Sequence, residues 1–217
     1  MRLLFVAGDL SGDEHASRVA RQIALRHPNW ELHAVGGARL SAAALATPGG
    51  SVVSDTTGCS VIGFASVLTL LPRMMLLQHS VVRFLEQCRP DGVLLCDWGA
   101  FNGRLLPHLK RLGIPALYYF PPRSWQREGN AGTGIVPFVT RVATPFPWSA
   151  QRLQDAGCDA RWVGHPALET AAASPGREAT RRELGIGDDE NVIGLFPGSR
   201  AMELKYIAPH ILSLIHI

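Results

Sequence analysis

Apolar and polar positions alternate along this chain between two periods. Leu3–Ala7 is an unbroken apolar run closed by Gly8, the pattern of a parallel strand buried on both faces. From Asp13 to His27, Ala16, Val19, Ala20, Ile23 and Ala24 recur at helical spacing, and Pro28 ends the element. Leu32–Val35 repeats the strand pattern before Gly36-Gly37; the Ala-rich Arg39–Ala46 reads as helix and Pro48-Gly49-Gly50 as a turn. Phe64, Val67, Leu68, Leu71, Met74 and Met75 follow the i, i+3, i+4, i+7 rule of an amphipathic helix. Proline is tolerated in a first helical turn, so Pro72 is expected to open a second helix that runs to Cys88 with Val81, Val82 and Leu85 as its core face.

Gly92–Cys96 reads as a third strand, Phe101–Leu112 as a helix stopped by Gly113, and Pro115–Phe120 as a strand. Arg141–Thr144 and Arg161–Val163 are short strands flanking a helix over Trp148–Ala156. Strands separated by helical patterns predict βαβ units and a doubly wound parallel sheet. Glu169–Arg177 loses apolar periodicity and carries Ser174-Pro175-Gly176, the pattern of a linker. Beyond it a helix (Glu178–Leu184), a strand (Val192–Phe196) and the turn Pro197-Gly198-Ser199-Arg200 read as the start of a second Rossmann-like unit. The expected organisation is a complete domain over 1–168, a linker over 169–177, and the beginning of a second domain over 178–217.

Composition narrows the function. At about 150 residues per domain, 217 residues make one generous domain or one and part of another. A net charge of +3 is too small to argue for nucleic acid, but leaves an anionic substrate or membrane surface open. Cys59, Cys88, Cys96 and Cys158 are far apart, which suits a reducing cytoplasm better than a disulfide framework. Asp9 follows the first apolar run too closely for a signal peptide. The apolar stretch Val61–Leu77, interrupted by Pro72 and Arg73, falls short of the about 20 residues of a spanning helix. The eight histidines show no metal-ligand spacing, so neither a metal nor a cofactor is expected.

In open α/β sheets ligands bind outside the carboxyl ends of the strands, and four such ends carry chemistry. Gly8-Asp9-Leu10-Ser11-Gly12-Asp13 could admit a ligand to the backbone and to a helix N-terminus, or be a tight turn capped by Ser11 or Asp13. It is neither G-x-G-x-x-G nor a Walker A loop. Asp97 could act as general base for a hydroxyl nucleophile, or be an N-cap-like residue of the next helix. His165, in Gly164-His165-Pro166, could bond a substrate hydroxyl or phosphate, or cap a domain junction. Gly198, Ser199 and Arg200 combine a helix N-terminus with a guanidinium, a way to hold a diphosphate, against a plain exposed turn. The loop with Arg123, Trp125 and Arg127 could meet a sugar-bearing ligand or pack a tryptophan among surface arginines. The Met-rich Val61–Leu77 stretch is core or an apolar patch for lipid.

Taken in order, these pieces resemble the lipid-A-disaccharide synthase family of GT-B glycosyltransferases. The match runs through Ala7-Gly8-Asp9-Leu10-Ser11-Gly12-Asp13 (family A-G-E-x-S-G-D), Gly36-Gly37 and Ser60-Val61-Ile62-Gly63-Phe64-Ala65-Ser66-Val67-Leu68 (family s-V-M-G-x-x-E-V-L). It continues through Arg89-Pro90-Asp91, Asp97 with Phe101-Asn102, Val163-Gly164-His165-Pro166, and Leu195-Phe196-Pro197-Gly198-Ser199-Arg200 (family L-L-P-G-S-R). The resemblance implies metal-free, inverting transfer of an acylated glucosamine from its UDP conjugate to a lipid-linked glucosamine phosphate. Asp97 would be the general base; Gly8, Asp9, Ser11, Gly12, Asn102, Trp125 and His165 would line the substrate site. Gly198, Ser199 and Arg200 would hold the nucleotide diphosphate, and Phe64, Val67, Leu68, Leu71, Met74 and Met75 would meet membrane and acyl chains.

The same resemblance implies a peripheral enzyme on the inner face of the cytoplasmic membrane, with a homodimer left open. A UDP-sugar 2-epimerase-like relative and a non-catalytic acceptor-side binding domain are the alternatives. The sequence departs from the family at several places. Asp9 stands for Glu, Ser66 for Glu, and Trp98-Gly99-Ala100 replaces Ala-Pro-Asp in the family's D-A-P-D-F-N. Tyr118-Tyr119-Phe120-Pro121-Pro122-Arg123-Ser124-Trp125-Gln126-Arg127 stands for H-Y-V-S-P-S-V-W-A-W, a divergence on the acceptor side. Leu212–Ile217 reads as foreign to the family, the chain as C-terminally truncated, and the fragment by itself as inactive.

Overall fold

A computed structural model describes residues 1–57, 64–122, 131–198 and 201–213, with backbone alone for 64–70, 131–133 and 201–202. Seven parallel strands form one sheet in the order β3-β2-β1-β4-β5-β6-β7. These are β1 (Arg2–Ala7), β2 (Glu31–Gly36), β3 (Ser51–Asp55), β4 (Gly92–Cys96), β5 (Ala116–Tyr119), β6 (Arg141–Thr144) and β7 (Ala160–Trp162). The helices are α1 (Leu10–Arg26), α2 (Ala38–Leu45), α3 (Phe64–Cys88), α4 (Gly99–Leu112), α5 (Pro147–Asp155), α6 (Pro166–Ala172), α7 (Arg177–Glu183) and α8 (Ala201–Ser213). The chain divides into two compact units, Met1–Leu168 and Glu169–Ile217.

Successive side chains of a strand point to opposite faces, and the two faces of the sheet carry separate cores. Phe5, Ala7, Leu32 and Ala34 pack with Ala16, Ala20 and Leu40 of α1 and α2. Leu4, Val6, Val93 and Leu95 pack with Leu77, Val81 and Leu85 of α3 and with Leu105, Leu106 and Leu109 of α4. Burial on both faces explains why β1 and β4 read as unbroken apolar runs rather than as alternation.

Several expectations need correction. Pro72 does not begin a second helix: α3 runs unbroken from Phe64 to Cys88 with Pro72 inside it. An interior proline costs about 3 kcal/mol. Buried Leu77, Val81 and Leu85, at about 1.5–3 kcal/mol each, offset that cost, and a break would leave helix-end carbonyls and amides unpaired. β3 was not expected; Ser51–Asp55 is a half-buried edge strand that pairs β2 across an irregularity at Ala34/Val35, and the preceding Gly-Gly turn masks its short pattern. The 3-10 segment Ala131–Phe138 was also unexpected, since Gly132, Gly134 and Pro137 give no helical signal.

In the second unit, Val192–Phe196 forms no strand. Ile193 and Phe196 are 84% and 87% exposed, because a strand needs a neighbour to receive its amides and no described residue of that unit is in one. The expected linker is partly helical, for α6 reaches Ala172 and Ala173 N–H still donates to Glu169 O. No helix among the described residues is long and apolar enough to cross a membrane.

Candidate functional site

The strand order reverses between β1 and β4, which run side by side with Val6 opposite Leu95 and Ala7 opposite Cys96. The chain leaves β1 toward β2 on one side and β4 toward β5 on the other, so the loops after Ala7 and Cys96 diverge around a crevice. Gly8-Asp9 and Asp97-Trp98 form its two lips.

On the first lip, Asp9 is the N-cap of α1: its Oδ1 accepts the Gly12 N–H at 2.6 Å and its Oδ2 the Ser11 hydroxyl at 2.9 Å. A Cβ on Gly12 would lie 2.7 Å from Asp9 Oδ1, so a larger residue there would displace the capping carboxylate. The cap is therefore Asp9, not Ser11 or Asp13. Asp13 is buried and serves a different helix. Its two carboxylate oxygens accept the Arg39 and Leu40 N–H groups, each at 3.1 Å, at the N-terminus of α2, whose own N-cap Gly37 offers no side chain. A Cβ on Gly37 would approach Asp13 to 3.0 Å and one on Gly36 would approach Leu40 to 2.6 Å. The Gly36-Gly37 pair is thus explained by the Asp13 bridge between α1 and α2.

The second lip is conformationally strained. Asp97 and Trp98 have φ of +46° and +48°, and Phe120 after β5 has φ of +56°, left-handed values that side chains with a Cβ rarely adopt. Trp98, not Asp97, holds the N-cap position of α4. Asn102 is fully buried; its Nδ2 donates to Asp97 O at 2.8 Å and to Cys96 O at 3.4 Å, and its Oδ1 lacks a protein partner. Asn102 therefore shapes the lip from beneath. The Tyr118 hydroxyl donates to the same Asp97 carbonyl, while the Asp97 N–H donates to Tyr119 O at 3.1 Å.

Trp98 stacks on Phe101 with centroids 4.1 Å apart and planes 13° from parallel. Its indole also covers Gly8: a Cβ there would fall well inside the radii of indole Cδ2, Cε2 and Cγ. The space that the missing Gly8 side chain leaves is filled by Trp98.

Beyond Asp97 an aromatic and imidazole cluster spans the same edge of the sheet. His15 of α1 lies flat on Phe120 (4.5 Å, 5°) and edge-on to His165 (6.1 Å, 89°), which in turn lies 5.8 Å from Phe146. His165 Nδ1 accepts the Ala167 N–H at 3.1 Å, so it carries the local turn as well as facing the cluster. Burial pushes the His15 imidazole below its ordinary pKa, and the nearby His165 adds to the shift. Among the described residues no group of three or more His, Cys, Asp or Glu could hold a metal.

The remaining sequence candidates lie elsewhere. Gly198 has φ of +103° and packs against Glu203, whereas Ser199 and Arg200 fall outside the described residues, as does Trp125. On α3, Leu71, Met75 and Leu76 are 38%, 65% and 70% exposed, while Met74 packs against the core. The side chains of Phe64, Val67 and Leu68 are outside the described set. Sequence reasoning missed Tyr118, His15 and Phe120. A strand tyrosine whose hydroxyl reaches the end of the next strand gives no local signal, and His15 falls within an ordinary helical pattern.

A family model described as lipid-A-disaccharide synthetase matches residues 3–216. Curated relatives include the lipid-A-disaccharide synthase of Myxococcus xanthus, 34% identical over 209 residues, 96% of this chain and 53% of that protein. The lipid-A-disaccharide synthase of Anaeromyxobacter sp. is 35% identical over 211 residues, 97% of this chain and 54% of its own length. The chain spans about half the length of the curated relatives it matches. Among solved structures, UDP-N-acetylglucosamine 2-epimerase from Rickettsia bellii superposes with a TM-score of 0.54 at 12% identity, covering 86% of this chain and 52% of that one. Acinetobacter baumannii MurG superposes with a TM-score of 0.50 at 18% identity, covering 100% of this chain and 57% of that one. At these identities the likeness carries the fold alone, the GT-B type of parallel α/β sheet.

Proposed function

The chain belongs to the lipid-A-disaccharide synthetase family, and from that premise we propose that it forms the acceptor-side half of an inverting glycosyltransferase. The reaction moves an acylated glucosamine from UDP to a hydroxyl of a lipid-linked glucosamine phosphate. Asp97 takes the proton of the attacking hydroxyl as that oxygen bonds the anomeric carbon and the bond from that carbon to UDP breaks. Gly198, Ser199 and Arg200 of the second unit are assigned to the nucleotide diphosphate by their match to the family's L-L-P-G-S-R. No step calls for a metal.

One observation carries the assignment to Asp97. Of the acidic residues at the β1–β4 switch point, Asp9 and Asp13 cap helices α1 and α2, whereas Asp97 sits on a strained lip whose carbonyl two buried side chains brace. The exposed Leu71, Met75 and Leu76 on α3 support a second element of the reading, peripheral contact with the inner face of the cytoplasmic membrane and its acyl chains. Donor binding requires residues outside this half, so the 217-residue chain by itself is inactive in this reading.

The test is Asp97→Asn in the native gene product, assayed by UDP release in the presence of donor and acceptor. Removal of a general base should lower the rate by about 10²–10⁴-fold, with circular dichroism and melting unchanged. A rate within a few-fold of the parent would remove Asp97 from the chemistry.

A further inference from the structure

We propose that Tyr118 is a positioning residue for Asp97: its hydroxyl, with Asn102, grips the Asp97 carbonyl and so sets the direction in which the Asp97 side chain leaves the end of β4. The proposal rests on the reading of Asp97 as general base, and its experiment is arranged so that the two can fail separately.

The geometry is a three-point hold on one residue. The Asp97 N–H continues the β4–β5 ladder by donating to Tyr119 O at 3.1 Å. Its carbonyl then departs from the ladder and takes two side-chain donors, the Tyr118 hydroxyl from the neighbouring strand and Asn102 Nδ2 at 2.8 Å from the following helix. Tyr118 and Asn102 are both 0% exposed, so neither donor can be replaced by bulk water without opening the core.

Two successive residues with side chains at φ of +46° and +48° persist only where the surroundings over-determine them. The two donors on one carbonyl are that over-determination. With the phenol gone, one of the two buried donors on this carbonyl is lost, the Asp97–Trp98 peptide can rotate toward extended values, and the carboxylate moves with it. Burial also keeps the Tyr118 phenol protonated far above the ordinary tyrosine range, so it stays a donor throughout the pH range in which a carboxylate base works.

Histidine also carries an N–H donor. Tyr118→His is therefore the conservative replacement, and Tyr118→Phe removes the donor while keeping the ring.

The experiment has two arms on Tyr118→Phe and Tyr118→His. The first reads Cα and Cβ chemical shifts of Asp97 and Trp98 in the chain described here. Left-handed shifts should be lost in Tyr118→Phe and kept in Tyr118→His. The second reads UDP release by the native gene product. Because a misplacement of about 1 Å in a reacting group costs about 10²-fold, Tyr118→Phe should lower kcat by about that factor with KM within about twofold, and Tyr118→His should restore most of it.

Left-handed shifts that survive in Tyr118→Phe, or a kcat within about threefold of the parent despite their loss, overturn the proposal. If the parent itself transfers no sugar, the functional reading fails and the shifts alone decide whether Tyr118 positions Asp97. If Tyr118→Phe does not fold, Tyr118→His decides. In Tyr118→His, shifts and kcat retained together, or reduced together, then uphold the coupling, and either one changing without the other refutes it.

Discussion

Replacing Gly8 by alanine tests whether the glycine at the end of β1 serves a side chain or a ligand. Gly8 does not have a positive φ, so the substitution carries no backbone penalty. On chain entropy alone, Gly→Ala at such a site stabilises by about 0.4–1 kcal/mol. The new methyl, however, lands inside the Trp98 indole. Overpacking of this kind costs about 1–3 kcal/mol. Displacing the indole from its 4.1 Å stack on Phe101 forfeits about another 0.5–1.5 kcal/mol. The net expectation is a loss of about 2 kcal/mol, small enough to leave a folded protein and large enough to measure.

The second half of the cycle makes the reasoning refutable. In a Trp98→Ala background the obstruction is gone, and Gly8→Ala should become neutral or stabilising by about 0.4–1 kcal/mol. The sign of the substitution reverses, with a coupling of about 2–3 kcal/mol between residues in contact. Urea denaturation followed by circular dichroism on the four proteins gives the cycle without relying on tryptophan emission. Equal destabilisation by Gly8→Ala in both backgrounds would show that the glycine is required for something other than Trp98, and would return the backbone of Gly8 to the list of ligand contacts.

Further expectations follow from the caps and the buried imidazoles. Asp13→Ala removes both acceptors at the start of α2 and should cost about 1–3 kcal/mol in thermal or chemical denaturation, with Asp13→Asn losing less because one amide oxygen remains. Burial depresses the pKa of both His15 and His33 in the folded protein, so below about 6.5 the unfolded chain takes up protons that the native state resists. Stability should therefore fall as pH drops from about 7.5 toward the lowered folded values. The fall should be shallower in His15→Gln and in His33→Gln, and a denaturation midpoint that does not change with pH in the parent would contradict the assignment.

Strands buried on both faces were legible because burial leaves a compositional trace. Gly92–Cys96 and Arg141–Thr144 lie where the apolar runs place them, and β1 differs from its run by one residue. Edge structure leaves a weaker trace, which is why Ser51–Asp55 went unread. Pro72 misled because proline propensity is local, whereas the continuity of α3 depends on the sheet beneath it. The loops at the carboxyl ends of β1 and β4 were also legible as places, since the alternation of elements brings them to one edge. Their internal division of labour was not. That Asp9 caps its own helix, Asp13 another one, and Asn102 and Tyr118 a carbonyl depends on distances between segments up to 27 residues apart, as between Asp13 and Leu40.

This division of labour distinguishes the three acidic residues at the switch point by what each one holds. A carboxylate that accepts two backbone N–H groups at a helix start is fixed in place as its cap. Asp13 is in that position, and Asp9 shares its oxygens between an amide and a hydroxyl. At Asp97 the N–H donates to Tyr119 O of β5, and the carbonyl accepts from Tyr118 and Asn102. Holding the main chain in this way sets where the Asp97 side chain leaves the end of β4, and a general base acts only from a fixed position. The left-handed φ values at Asp97 and Trp98 are the local cost of that arrangement, and their place at the order reversal of the sheet is where a ligand would make use of it.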